Sequence, residues 1–255
     1  MKKNLIIFFL WCFPVVAMAS SGGVHLEKAD INLESKESLR HGAKLFVNYC
    51  LSCHSAAYMR YNTLARGLDL TNKQVEQNMI FVANFDNLES GEPKKIGDLM
   101  TVAMTKKDAK VFFGTEVPDL TVVARARGAD WLYTYLTTFY ADETRPFGVN
   151  NAVFPSVGMP HVLWQLQGLK KKVVVKEKDH HGHEAEHVKF ETITEGSMSD
   201  VEFKRAMNDL VNFLVYMGEP IKLERQRIGI YVMFFLIFLF FLAYLLKKEY
   251  WKDIH

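Results

Sequence analysis

The chain has 255 residues, 49% apolar, 24% charged and 13% aromatic, with a formal net charge of +2 at pH 7. That composition supports one sizeable core and excludes a disordered or low-complexity chain. From Ser20 to Arg227 there are 26 Lys and Arg against 27 Asp and Glu, a near balance without the basic excess of a nucleic-acid binder.

Lys2 and Lys3 precede an apolar run from Leu5 through Val16, then Ala17-Met18-Ala19 and Ser20-Ser21. A charged start, an apolar middle and a small-x-small site predict a secretory signal peptide over 1–19, cleaved after Ala19. The alternative is an uncleaved anchor helix; either form carries the next stretch of chain across the membrane. Residues 20–35 read as polar and extended. Glu37 to His54 then reads as an amphipathic helix, with Leu39, Ala43, Phe46 and Cys50 on one face and Leu45 and Tyr49 beside it.

That helix ends in Cys50-Leu51-Ser52-Cys53-His54. Two cysteines two residues apart and followed at once by histidine form the pattern for covalent haem attachment. Each thiol can add to one vinyl group, and the adjoining imidazole reaches the iron. A redox CxxC or half of a zinc site is the competing reading, but a zinc site needs two more ligands at a paired spacing. Cys12, the remaining cysteine, lies in the signal stretch, so both cysteines of the mature chain are spoken for.

Further along, Thr71 to Gln74 fits a capping box ahead of a helix towards Phe81, and Thr105 to Asp108 opens another that stops at Gly114. Asp119 can cap a helix through Ala126, and Asp130 one through Tyr140. Lys171–Lys178 and His187–Ile193 allow one small hairpin. Ser199 to Glu202 starts a helix bearing Phe203, Met207, Leu210, Val211, Leu214 and Met217, stopped by Gly218 and Pro220. The fold class expected is mainly α. Ile228 to Leu246 is 19 residues without a charge, roughly 28 Å of helix against about 30 Å of hydrocarbon. A transmembrane anchor over 225–249 is expected, with basic residues on both sides and Tyr250 and Trp251 at interface depth. Orientation then rests on the signal peptide: residues 20–224 periplasmic, 250–255 cytoplasmic, single-pass in the inner membrane.

A haem with one protein ligand is open to gas, peroxide or substrate; a second ligand closes it and leaves electron transfer. Met159 is favoured, because Gly158 permits close backbone approach, Pro160 holds it extended, and residues 151–161 show no helical period. Met100, Met104 and His161 stay open as alternatives. Met59 lies too near His54, while Met207 and Met217 belong to an apolar stripe. Arg125 and Arg127, near Asp119 and Trp131, are candidates for pairing to the propionates, or ordinary surface arginines.

The segments VNYCLSCHSA, PDLTVVARARG (118–128), WLYTYL and NNAVFPSVGMPHVLWQLQG (150–168), with one C-terminal anchor, resemble the bacterial cytochrome c1 family. That family is the haem subunit of quinol–cytochrome c reductase, the cytochrome bc1 complex. The resemblance covers nearly the whole chain. It implies a mostly helical cytochrome c-like haem domain with insertions, and haem c bound through thioethers at Cys50 and Cys53. It implies His54 and Met159 as axial ligands and Arg127 on a propionate. Implied partners are cytochrome b, the Rieske iron–sulfur protein as electron donor, a soluble or membrane-tethered cytochrome c as acceptor, membrane lipid, and a dimeric complex without nucleic acid. The subunit alone then catalyses no bond chemistry. Relatives often read Pro-Pro-Asp-Leu where this chain has Val117 before Pro118, and its near-neutral balance does not reproduce the acidic patches of mitochondrial relatives.

Two other functions fit a tethered haem: a peroxidase or gas sensor, and a c-type subunit of a terminal oxidase. His180, His181, His183 and His187 fall within eight residues and suit zinc, copper or pH sensing. Flanking lysines favour a solvated insertion.

Overall fold

The computed structural model describes residues 25–81, 94–178 and 184–252. The stretch expected to be a signal peptide, the last residues of the expected tail and the side chains of the histidine cluster lie outside those described. Ser35 caps α1 (Lys36–Leu45), its hydroxyl accepting from the Ser38 N–H at 3.3 Å. The helix then widens into a π-helical turn, Phe46–Cys50, where the Leu51 N–H reaches back five residues to the Phe46 carbonyl at 2.9 Å. The helix expected over Glu37–His54 therefore ends at Cys50. The rest of the motif is a tight turn in which the Cys53 and His54 N–H groups both donate to the Cys50 carbonyl, at 3.1 and 2.8 Å. The buried face is the expected one: Leu39, Ala43 and Phe46 are fully buried.

After β1 (Ala56–Arg60) come α2 (Tyr61–Gly67) and α3 (Asn72–Met79), and then β2 (Leu99–Met100), which pairs antiparallel with β1. The capping boxes sit where their spacing predicts, Thr71 with Gln74 opening α3 and Thr105 with Asp108 opening α4 (Lys106–Phe113). Gly114 ends α4 at φ 72°, a left-handed conformation that glycine adopts without steric cost.

Next are α5 (Val123–Arg127) and α6 (Ala129–Thr137). The two aspartates expected to cap this region do other work. Asp119 accepts from the Thr121 N–H at 2.8 Å and the Ala57 N–H at 2.7 Å, fastening its loop to β1. Asp130 accepts from the Ala29 N–H at 2.8 Å and holds the N-terminal arm. A short carboxylate bonds whichever backbone donor is nearest, and here those donors belong to other segments. The second helix stops at Thr137 rather than Tyr140, because Thr137-Thr138-Phe139-Tyr140 is β-branched and aromatic and suits a strand. It becomes β3 (Phe139–Ala141), paired antiparallel with β4 (Val149–Asn151).

The one-turn α7 (Trp164–Gln167) leads into β5 (Gly168–Lys178) and β6 (Glu184–Glu195), an antiparallel ribbon running from Gly168 opposite Glu195 to Lys178 opposite Glu184. It is longer at both ends than the hairpin expected. Ser199 and Glu202 form a third capping box at the head of α8 (Asp200–Gly218), whose Phe203, Met207, Leu210, Val211, Leu214 and Met217 are all buried. The last helix, α9 (Lys222–Tyr250), begins ahead of the apolar run and ends beyond it; it is long and apolar enough to cross a membrane, and none of its residues is buried in the protein.

Among the described residues, strands form three two-stranded ladders, and the core is mainly helical, with Ala56, Met59 and Met100 joining it from the first ladder. It sits where α1 packs on α8, with α5 and α6 against the same helix. Each large apolar side chain fully buried there, such as Phe46 or Phe213, contributes roughly 1.5–3 kcal/mol. The crossing is close at Gly42, where a Cβ would stand 2.1 Å from the Asp209 carbonyl oxygen.

Candidate functional site

A mainly apolar cavity of about 360 Å³ lies beside this core, and Cys50, Cys53, His54, Arg127, Trp131, Tyr135 and Met159 all line it. Cofactor and small-molecule sites occupy roughly 300–1,000 Å³. The π turn and the tight turn after it bring Cys50, Cys53 and His54 to the cavity as one unit. Both cysteines are free thiols, and burial, then the neighbouring Cys53, push the Cys50 thiol up to about 12.

His54 Nδ1 lies 2.8 Å from the Pro118 carbonyl oxygen. A carbonyl can only accept, so Nδ1 carries the proton and Nε2 keeps its lone pair, the tautomer a metal-binding imidazole needs. Burial holds the pKa of His54 below the ordinary histidine value, against the opposing pull of the Pro118 bond and the Asp119 charge. The ring is thus neutral, oriented and chemically fit to ligate iron.

Met159 reaches the same cavity from the segment after β4. Asn151 shapes that segment: its Nδ2 donates to the Tyr135 carbonyl at 2.7 Å, and its Oδ1 accepts from the Val153 and Phe154 N–H groups at 2.9 and 3.1 Å. Asn150 Oδ1 accepts from the Ser156 N–H at 2.8 Å. Gly158 does allow a close approach, since a Cβ there would stand 2.9 Å from Thr115 Cγ2. The Tyr135 hydroxyl donates to Met159 Sδ at 3.3 Å.

The other candidates lie elsewhere. Met59, Met100, Met207 and Met217 are buried in the main core, Met104 is half-buried, and none of them lines the cavity. His161 is stacked on Phe139 with centroids 4.9 Å apart and planes 3° from parallel, and burial takes its pKa down to about 4. It also stays outside the cavity lining.

The two arginines separate. Residues two apart on a helix face opposite ways, and α5 turns only Arg127 to the cavity, its guanidinium 5.1 Å from the centre of the Trp131 ring. Arg125 faces the junction of α8 and α9, where a Cβ on Gly218 would stand 3.4 Å from its Cγ. Sequence reasoning did not anticipate Tyr135, Asn150, Asn151 or the Pro118 carbonyl. For Tyr135 a signal existed: it stands four residues from Trp131, the spacing that places two rings on one helix face.

Residues 32–254 match the family model described as the Cytochrome C1 family. The chain belongs to the cytochrome c1 family. It is 50% identical over 255 residues to cytochrome c1 of Allochromatium vinosum, covering the whole of both chains. It is 44% identical over 260 residues to a Nitrosomonas europaea protein named ammonia monooxygenase gamma subunit, covering all of this chain and 99% of that one. Against mitochondrial cytochrome c1 of Saccharomyces cerevisiae the identity is 28% over 235 residues, covering 85% of this chain and 67% of the relative. Membership of that family makes it a haem electron-transfer subunit of the cytochrome bc1 type, a complex that in the family also contains cytochrome b and the Rieske protein. Its mainly α fold and apolar C-terminal helix suit a membrane-anchored member of that family.

Proposed function

We propose that haem c is held through thioethers at Cys50 and Cys53, with His54 and Met159 as axial ligands and Arg127 paired to a propionate. It takes single electrons from the Rieske protein on the periplasmic side and passes them to a c-type cytochrome, within a dimeric complex. Residues 1–19 are the cleaved signal, 20–224 the periplasmic domain, 225–249 the anchor among lipids and 250–255 the cytoplasmic tail. The observation that carries this reading is the meeting of the Cys50–His54 motif with Met159, remote from it in sequence, in one apolar cavity.

Haem supplies a one-electron iron couple. The protein's part is to orient ligands and exclude water. Pro118 fixes the imidazole, the segment ordered by Asn150 and Asn151 delivers the thioether, and the apolar lining keeps the dielectric low, which with axial ligation sets the potential. A site closed on both faces passes electrons without binding substrate, which separates this reading from a peroxidase or gas sensor.

The test is a redox titration and a carbon monoxide difference spectrum on the full-length holoprotein in detergent. The reduced native protein is expected to bind carbon monoxide slowly. Met159→Leu should keep its haem through denaturing electrophoresis, bind carbon monoxide rapidly, and lose a substantial part of the ~0.8 V span that axial ligands control. An unchanged potential in Met159→Leu would move the ligand elsewhere. Co-purification with a b-type cytochrome and a Rieske protein distinguishes the bc1 role from a terminal oxidase.

A further inference from the structure

We propose that Tyr135 is a positioning residue for the Met159 thioether: its hydroxyl occupies one lone pair of the sulfur and leaves the other for the iron. This rests on Met159 being the ligand and says how its sulfur is aimed. The thioether is unbranched with three rotatable bonds, so its sulfur has no orientation of its own. The 3.3 Å bond from Tyr135 supplies one.

The donor itself is held. Its ring stacks on Trp131, with centroids 5.1 Å apart and planes 11° from parallel, and meets Phe139 edge-on at 5.2 Å. Its carbonyl accepts from Asn151 Nδ2 at 2.7 Å. One residue thus grips the ligand-bearing segment twice, by its backbone near the start and by its hydroxyl at the sulfur. A phenylalanine would satisfy the ring contacts equally well; the oxygen has its use at Met159.

The bond also bears on electron affinity. A donor on the sulfur withdraws electron density and points the positive end of its dipole at the site. Both effects disfavour the ferric state, which carries one more positive charge, and raise the potential.

The experiment compares full-length holoprotein in detergent as wild type, Tyr135→Phe and Met159→Leu. The readouts are haem content, midpoint potential, the thioether-to-ferric-iron charge-transfer band and the rate of carbon monoxide binding. Tyr135→Phe should keep its haem and lower the potential by up to a tenfold change in the oxidised-to-reduced ratio, about 59 mV for one electron. Its charge-transfer band should shift or weaken and carbon monoxide should bind faster. Should Tyr135→Phe assemble poorly, fluorotyrosine labelling of the native sequence makes the phenol a stronger donor and should raise the potential. A Tyr135→Phe protein with native potential and band, or labelling without effect, overturns the proposal. If Met159→Leu also matches the native protein, the ligand reading has failed; if Met159→Leu departs and Tyr135→Phe does not, only the role of Tyr135 has.

Discussion

A single carbonyl decides the chemistry open to His54. The Cys50–His54 motif is local, so its residue types and spacing declare themselves, but the Pro118 carbonyl that selects the tautomer is a backbone atom with no side-chain signature. Tyr135 was hidden for a related reason: an aromatic on an amphipathic helix reads as core, and its hydroxyl acquires meaning only when the later segment arrives. Residue type alone did not separate Arg125 from Arg127, which only the family resemblance told apart, because their difference comes from the phase of a five-residue helix, α5. Arg127 lines the cavity, so Arg127→Gln should keep haem and Met159 ligation but lower the midpoint potential. Loss of a nearby positive charge relieves the ferric state, by an amount on the order of tenfold in the redox ratio, or about 59 mV. Redox titration checks the sign, and Arg125→Gln should leave the potential where it was.

At the scale of elements, the three capping boxes were legible because each is a short reciprocal hydrogen-bond pattern between a hydroxyl and a side chain three residues on. Short strands such as β3 and β4 were not, since three residues carry too little alternation to show a period. Nor was the crossing of α1 and α8, although both apolar stripes were evident; which stripes meet is a long-range fact. Gly42 is the mark of that meeting. In an isolated helix Gly42→Ala would gain roughly 1 kcal/mol, yet here the new methyl group would collide with backbone at Asp209. We expect net destabilisation of roughly 1–3 kcal/mol, seen as a lower denaturant midpoint with haem absorbance as the probe, while Ala43→Gly weakens the same helix without that collision.

For the whole molecule, the polar surface predicts its response to acid. Hydrogen bonds from Thr105, Thr144, Ser199 and Arg225, and from Lys110, hold Asp108, Asp142, Glu202, Glu219 and Glu116 below the ordinary carboxylate range. A carboxylate with a depressed folded pKa contributes stability above its unfolded value, near 4, and loses it as pH falls through the folded value. Burial holds the folded His161 at about 4 while the unfolded ring takes its proton near 6.5, so thermal melts of the full chain in detergent should begin to fall as pH drops through about 6.5 and fall further below 4 as the carboxylates are lost. A melting temperature that rises on acidification would contradict this. The wide turn at Phe46–Cys50 has a different kind of consequence, for the lengths this gene product tolerates. A turn already holding one residue more than an α-helix needs can surrender it: deleting one amino acid there tightens the coil and leaves its neighbours on both sides in place. Adding one has no such outlet, and would swing the cysteine pair about 100° around the axis, so natural length variation here should run towards shortening.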